Sequence, residues 1–259
     1  MTPPVHDFGG TGPDLLLLHG GGDNLETWRG VAPLLDGFSV VAYDARGHGQ
    51  SPTPDRASVE DMVAEVIEMA GPLERPFLVG HSMGGVNALL AAGQMDTLGG
   101  VVALDAVPRW WTRPNLTRDE LVEFGRSRGF GWSGTDEELE RQVSSLGEGS
   151  RHAELMRAVF RRNHERNDGG MLRRKPDPEY ALPLAQIYMG PQSGLTAERI
   201  RAVRCPVLLL CSQEWVGEDA RRTLAEIDVP IEWFDTGHYL HWDAPDAVAR
   251  RIREFACAS

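Results

Sequence analysis

The sequence predicts an α/β protein with a mostly parallel, doubly wound sheet and a helical segment inserted into it. Short apolar runs alternate with longer amphipathic helical patterns, and the runs are almost continuously apolar, as in strands covered on both faces. The alternation stops between residues 107 and 203. The predicted strands are Leu15–Leu18, Ser39–Tyr43, Phe77–Val79, Val101–Leu104, Val207–Cys211 and Ile231–Phe234.

Two helices follow from their capping signals. Ser58 is a candidate helix cap with Asp61 three residues later, and apolar residues at helical spacing follow. Near the end of the chain, Asp243 is predicted to cap a helix that begins at Ala244-Pro245. Strands that alternate with helices in this way favour right-handed crossovers between parallel strands.

The inserted segment, residues 107–203, has a different pattern. It contains amphipathic helical stretches such as DEELERQVSSL and AELMRAVFRRN, joined by turns rich in Gly and Pro, and no convincing strand. We therefore expect a helical cap over 107–203 on a core made of residues 1–106 and 204–259.

Bulk properties restrict the class of partner. The formal net charge of −12 argues against nucleic acid or an anionic membrane as the main partner. We find no run of about 18 apolar residues, which would be needed to span a membrane, and the first residues do not resemble a signal peptide. Cys205, Cys211 and Cys257 lack metal-ligand spacing and are expected to be buried thiols. These features favour a cytoplasmic protein, monomer or homodimer, that acts on a small molecule.

A serine in a glycine-rich turn carries the most specific signal. The strand Phe77–Val79 runs into GHSMG, residues 80–84, and a helix rich in small residues follows. This G-x-S-x-G pattern is typical of a nucleophile elbow, a strained turn that presents the hydroxyl of Ser82 outside the sheet. Side chains at positions 80 and 84 would collide in such a turn, so glycine is needed at both.

Three further segments accompany this turn: LLLLHGGGDNLETW, VVAYDARGHGQS and GHYLHWDAPDAVARRIREF. Together with GHSMGG they resemble the α/β-hydrolase fold family, in its single-chain, capped form, over nearly the whole chain. The first resembles the strand and oxyanion loop of that family, and the last resembles its terminal histidine loop and helix. The resemblance implies a serine hydrolase with a catalytic triad.

His238 is the candidate general base. A serine hydroxyl needs a base within hydrogen-bonding reach, and the Gly237-His238 loop follows the last predicted strand, in the chain order serine, acid, histidine. His241 is the rival base. His238 and His241 also have helical spacing for a metal pair, but no third ligand is near in sequence, so we expect neither a metal nor a cofactor.

The oxyanion that forms on attack needs two preorganised N–H donors. We assign one to Met83, at the start of the helix after Ser82, and the other to the glycine run after His19, at Gly21. His19 is expected to anchor its loop and His48 to belong to a tight turn. The side chain of His81 is expected to point away from Ser82.

The acid of the triad is the open question. In the resembled family the turn after the strand Val207–Cys211 usually carries it, but Trp215 stands there, and an indole cannot accept the hydrogen bond. Glu214 is one residue away. Asp105 lies at the C-terminal end of a predicted parallel strand, where α/β sheets build their sites and where some members of the fold place the acid. We favour Asp105, with Glu214 as the alternative.

Three functions fit this pattern. The first is hydrolysis of an ester, lactone or thioester of a small, largely apolar molecule through an acyl-enzyme. The second uses the same triad for C–C bond hydrolysis, a lyase step or perhydrolase chemistry. The third is a binding or receptor module with little turnover. The candidate substrate-binding residues are Gly22, His81, Trp110, Trp111, Trp132, Tyr188 and Met189.

Overall fold

The computed structural model describes residues 3–56, 58–106, 117–127, 129–189 and 193–259. Its strands are β1 (Val5–Gly9), β2 (Asp14–Leu18), β3 (Ser39–Tyr43), β4 (Phe77–His81), β5 (Gly100–Leu104), β6 (Ser133–Gly134), β7 (His164–Arg166), β8 (Leu172–Arg174), β9 (Val207–Ser212) and β10 (Ile231–Phe234). Its α-helices are α1 (Val59–Ala70), α2 (Met83–Ala92), α3 (Arg118–Ser127), α4 (Asp136–Ser145), α5 (Ala153–Arg162), α6 (Pro178–Met189), α7 (Ala197–Arg201), α8 (Glu218–Ala225), α9 (Leu240–Asp243) and α10 (Pro245–Ala258).

The main sheet has seven strands in the order β1-β3-β2-β4-β5-β9-β10. Every neighbouring pair is parallel except β1 with β3, which is antiparallel. The prediction of a mostly parallel α/β sheet is therefore confirmed, and the six predicted strands are all present. The edge strand β1 of this sheet was not predicted, because its exposed Val5 gives it no continuous apolar run.

Side chains of the sheet feed two hydrophobic cores, one on each face. In β2, Leu16 and Leu18 pack into one core, which contains residues of α1, α2, α7 and α8. Leu15 and Leu17 point to the opposite face, into a core that contains Trp28 and residues of α10. Because both faces of the sheet are covered, the residues that point to either face are apolar, which explains the continuous apolar runs.

One of the two helix-cap predictions is confirmed. The hydroxyl of Ser58 accepts a hydrogen bond from the N–H of Asp61 at 3.0 Å, at the start of α1. The prediction for Asp243 is wrong, because α10 begins at Pro245 after an Ala244 that makes no side-chain cap. The Asp243 carboxylate instead pairs with Arg151 at 2.9 Å and His152 at 3.0 Å.

The inserted segment also departs from its prediction. Besides α3 to α6 it contains a three-stranded antiparallel sheet in the order β6-β8-β7, where no strand was expected. These strands are only two or three residues long, too short to show a period of two in the sequence. The role of residues 107–203 as a cap stays a prediction.

Two smaller expectations can be compared with the structure. Cys211 is buried and Cys205 is half-buried, but Cys257 is exposed near the end of α10, so the prediction of three buried thiols is wrong for that residue. Within the described ranges, none of the helices has the length and apolarity required to cross a membrane.

Candidate active site

Ser82 occupies a strained turn between β4 and α2. Its φ of 51° and ψ of −117° are unusual for a residue with a side chain, and its own N–H donates to the carbonyl of Leu104 at 2.8 Å. Such strain persists only where the surroundings hold the turn in place, and it is often found at functional sites. Ser82 is 9% exposed and lines a cavity.

The packing around this turn shows why glycine is required on both sides of Ser82. A Cβ at Gly80 would lie 2.4 Å from the carbonyl oxygen of Gly84, and a Cβ at Gly84 would lie 2.4 Å from the carbonyl oxygen of Leu18. Both contacts are with main chain, which cannot move aside. The helix α2 therefore starts directly against the end of β2.

His238 lies in the loop after β10 and pairs with Asp105. Its Nδ1 is 2.7 Å from Oδ2 of Asp105, whose side chain is fully buried at the end of β5. The other oxygen of this carboxylate accepts a hydrogen bond from the N–H of Ser212 at 2.9 Å. Glu214, the alternative acid, is exposed. The geometry thus pairs the imidazole with Asp105.

Trp215 lies against the same imidazole. The two rings stack with their centroids 4.9 Å apart and an interplanar angle of 28°, and Trp215 remains 44% exposed. The main chain of Trp215 is held in place, because its N–H donates a hydrogen bond to the hydroxyl of Ser212 at 3.0 Å. This stacking was not predicted from the sequence, where Trp215 stood out only as a residue that cannot serve as the acid.

Two buried histidines lie behind His238. The ring of His81 is 4.6 Å from the rings of both His238 and His241, centroid to centroid. Burial lowers the pKa of His241 to about 3 and that of His81 well below its usual value, so both rings are neutral at pH 7. His241 pairs with the hydroxyl of Thr27 and does not line the cavity that contains Ser82.

The cavity above Ser82 has a volume of about 230 Å³. Of the predicted substrate-binding residues, Gly22, His81 and Tyr188 line it. The ring of His81 is held by its Nε2, 2.9 Å from the carbonyl oxygen of His238, and its expected direction away from Ser82 stays a prediction. The sequence analysis missed other lining residues, most of them apolar: Val86, Phe130, Pro176, Ala181, Leu182, Leu184, Ala185, Trp215 and Tyr239.

Three aromatic residues and one methionine of the inserted segment were also predicted to bind substrate. Trp132 does not line the cavity, contrary to expectation, because it packs with Leu139, Val143 and Leu172 in a small core of the inserted segment. Trp110 and Trp111 lie outside the described residues, and the side chain of Met189 does too.

Gly21 and Met83, the predicted oxyanion donors, lie side by side at the cavity. A Cβ on Gly21 would lie 3.8 Å from the sulfur of Met83, in ordinary contact. Met83 is the first residue of α2, where main-chain N–H groups have no partner within the helix and the helix dipole favours negative charge. The arrangement therefore offers N–H groups next to Ser82.

His19 and His48 have supporting positions, as expected. His19 accepts a hydrogen bond from the N–H of Ala45 at 2.9 Å on Nε2, and its Nδ1 donates to the carbonyl of Gly20 at 2.8 Å. Burial lowers the pKa of His19 to about 4 and that of His48 to about 3. His19 thus joins the glycine loop after β2 to the turn after β3 as a neutral ring.

Comparison with known proteins decides the family. The model of the alpha/beta hydrolase family matches residues 15–251, which is most of the chain. The chain belongs to the alpha/beta hydrolase family. In this α/β hydrolase the main sheet has seven strands, and the strained turn at Ser82 follows β4.

Individual relatives of this α/β hydrolase differ in their named activities. The chain is 40% identical to a fluoroacetate dehalogenase of Burkholderia sp. over 112 residues, which cover 39% of the chain and 37% of that protein. It is 36% identical to an esterase of Mycobacterium tuberculosis over 108 residues, 39% of the chain and 35% of that esterase. The chain spans about a quarter to two fifths of the length of the curated relatives that it matches.

A likeness to a solved structure covers the entire fold. An esterase from a marine microorganism matches with a TM-score of 0.75 and 26% sequence identity, over 98% of this chain and 98% of that one. The inserted segment is therefore included in the likeness.

Proposed function

We propose that this α/β hydrolase is a serine hydrolase that cleaves a carboxylic ester, lactone or thioester of a small, largely apolar molecule. The observation that carries the proposal is the 2.7 Å contact between His238 and the fully buried Asp105, beside the cavity that contains Ser82. A buried carboxylate holds an imidazole in one tautomer and stabilises the imidazolium that forms when it takes a proton. Relatives named as esterases support the same class of reaction.

In the proposed reaction, Ser82 attacks the carbonyl carbon while Nε2 of His238 takes the hydroxyl proton. The negative charge that develops on the carbonyl oxygen is stabilised by the N–H groups of Gly21 and Met83. The tetrahedral intermediate collapses to an acyl-enzyme as His238 returns the proton to the leaving alcohol or thiol. Water, deprotonated by the same imidazole, then releases the acid and restores Ser82.

The cavity supports an uncharged substrate. Among the described residues that line it, we find no Lys, Arg, Asp or Glu. A carboxylate or phosphate in this space would lose its hydration without gaining a partner of opposite charge. The volume of about 230 Å³ fits a small acyl or alcohol group.

The inserted segment is proposed to act as a cap. It contributes Phe130 from the loop after α3, and from α6 it contributes Leu182 and Tyr188. These side chains line the cavity together with the glycine loop and the serine turn, and Phe130 lies against Gly22. Substrate specificity is therefore proposed to reside largely in α6.

The test is an activity screen with the Ser82→Ala protein as the blank. The panel contains p-nitrophenyl esters of increasing acyl length, neutral lactones, acyl thioesters and fluoroacetate. We expect turnover of short neutral esters, lactones or thioesters by the wild type, none by the blank, and no release of fluoride from fluoroacetate. Turnover of fluoroacetate alone, or equal rates in the blank, would refute the proposal.

A further inference from the structure

Two buried polar atoms lie behind the glycine loop without a hydrogen-bond partner among the described residues: Oδ2 of Asp23 and Nδ1 of His81. Both lie against Gly20. A Cβ there would be 2.7 Å from Nδ1 of His81 and 3.4 Å from Oδ2 of Asp23, so the two atoms are within about 6 Å of each other. Buried polar groups without partners are costly, so each one requires an explanation.

The chemistry of the His81 atom follows from its other nitrogen. Nε2 of His81 lies 2.9 Å from the carbonyl oxygen of His238, and a carbonyl can only accept, so Nε2 carries the hydrogen. Burial lowers the pKa of His81 well below its usual value, and the neighbouring rings of His241 and His238 lower it further. The ring is therefore neutral, and Nδ1 presents a lone pair that needs a donor.

Asp23 is able to provide that donor. Asp23 is 5% exposed, and within the part of the chain that the structure describes its Oδ1 accepts one long hydrogen bond, 3.5 Å, from the hydroxyl of Tyr239. Burial raises the pKa of Asp23 to about 8, and the Tyr239 hydroxyl lowers it by a smaller amount. At pH 7 the carboxyl is thus mostly protonated and has an O–H group to donate.

The two unpartnered atoms are complementary, one a donor and the other an acceptor. We propose that Asp23 is a positioning residue whose protonated carboxyl donates a hydrogen bond directly to Nδ1 of His81 and thereby holds the glycine loop against the serine turn. The proposal requires the Asp23 side chain to rotate toward His81, since the two atoms are up to about 6 Å apart.

The consequence for the site follows from the position of the two residues. Asp23 directly follows the glycine loop that contains Gly21, and its N–H donates to the carbonyl of Gly20 at 3.2 Å. His81 directly precedes Ser82 and holds the main chain of His238. One hydrogen bond therefore joins the three segments that carry the proposed oxyanion donor, nucleophile and base.

Ionisation of Asp23 removes this hydrogen bond. The carboxylate has no hydrogen to donate, and its charge lies behind the loop that must stabilise an oxyanion. The titratable groups around it are Tyr239 on Oδ1 and His81, with His238 and His241 behind His81. We therefore expect activity to fall at alkaline pH, where a simple serine–histidine pair would keep its full rate.

The first measurement is kcat/KM between pH 6 and 10 for the wild type and for Asp23→Asn, on whichever ester the wild type cleaves. The wild type should lose half of its rate near pH 8 and about tenfold or more by pH 9.5. Asp23→Asn keeps a donor at every pH through its amide N–H, so its profile should show no alkaline decline. Asp23→Ala has no donor and should be several-fold slower at all pH values, without an alkaline decline.

This rate measurement rests on the proposed hydrolase function, so a second measurement uses no substrate. Urea unfolding of the wild type and of Asp23→Asn is compared from pH 5 to pH 9. The wild type should lose stability relative to the variant as the pH rises, because its folded state binds a proton that the unfolded chain has released. A wild-type rate that is constant up to pH 10, or an equal alkaline decline in Asp23→Asn, would overturn the proposal. A stability difference that does not change with pH would overturn it even if no ester is cleaved.

Discussion

Replacing Asp105 by Asn tests the triad at the residue that the sequence left most open. The N–H of Ser212 donates to Oδ1 of Asp105 at 2.9 Å, inside a fully buried site, and it would still require an acceptor in the variant. The amide oxygen of the substituted side chain would satisfy it, which turns the NH₂ group toward Nδ1 of His238. That nitrogen would then have to accept, so the imidazole hydrogen would move to Nε2, the atom that must accept the proton of Ser82.

The expected effect is large because the variant has the wrong tautomer and no charge beside the imidazolium. Loss of the carboxylate in a serine–histidine–aspartate triad lowers turnover by about 10⁴-fold, which corresponds to about 5 kcal/mol in the activation free energy. The assay is kcat/KM on the best ester from the screen, with the urea midpoint measured in parallel to exclude unfolding. Glu214→Gln is the matched control, because this exposed residue should change the rate by less than about twofold.

The reasoning would be refuted by the opposite ranking. If folded Asp105→Asn kept its rate within tenfold while Glu214→Gln lost about 10³-fold, the acid would be Glu214, and the contact in the structure would not represent the working enzyme.

Three further predictions concern the histidines and the indole beside them. Trp215→Ala should lower kcat/KM by about 5- to 30-fold, because a partly desolvated imidazolium over an indole is stabilised by about 1 to 2 kcal/mol. Trp215→Phe should keep most of the rate. An unchanged rate in Trp215→Ala would show that the stacking has no role. His238→Ala should lose about 10³-fold or more in turnover, whereas His241→Ala should mainly lose stability; the reverse result would identify His241 as the base. Burial lowers the pKa of His19 to about 4 and that of His48 to about 3, so between pH 6.5 and 4 the unfolded chain takes up protons that the folded protein does not. The free energy of unfolding should therefore fall on acidification, by up to about 1.4 kcal/mol per pH unit for each ring. Urea midpoints at pH 7 and pH 5 measure this fall, which should be smaller in His48→Gln than in the wild type. Equal midpoints at the two pH values would contradict the prediction.

Much of the fold could be predicted because its signals are local. Strands buried on both faces are continuously apolar, and the six predicted strands are present. The turn at Ser82 could be predicted because the collisions that require Gly80 and Gly84 involve the main chain within and beside the motif. The proximity of Asp105 and His238 was expected because ends of parallel strands open at the same edge of the sheet.

Several of the differences arise from contacts between residues far apart in sequence. Asp243 looks like a helix cap in isolation, but Arg151 and His152 of the inserted segment take its carboxylate. Trp132 was expected at the cavity, but it packs in a core of the inserted segment that includes the distant Leu172. The stacking of Trp215 on His238 joins two loops that no local pattern relates.

Labelling with a fluorophosphonate tests the central claim most directly, because it reports an activated serine without knowledge of the substrate. Wild-type protein is treated at pH 7.5 and measured by intact mass, and the modified residue is mapped by peptide mass spectrometry. We predict one adduct, on Ser82, and none on Ser82→Ala. A wild-type protein that stays unlabelled, or an adduct that maps to another serine, would contradict the account.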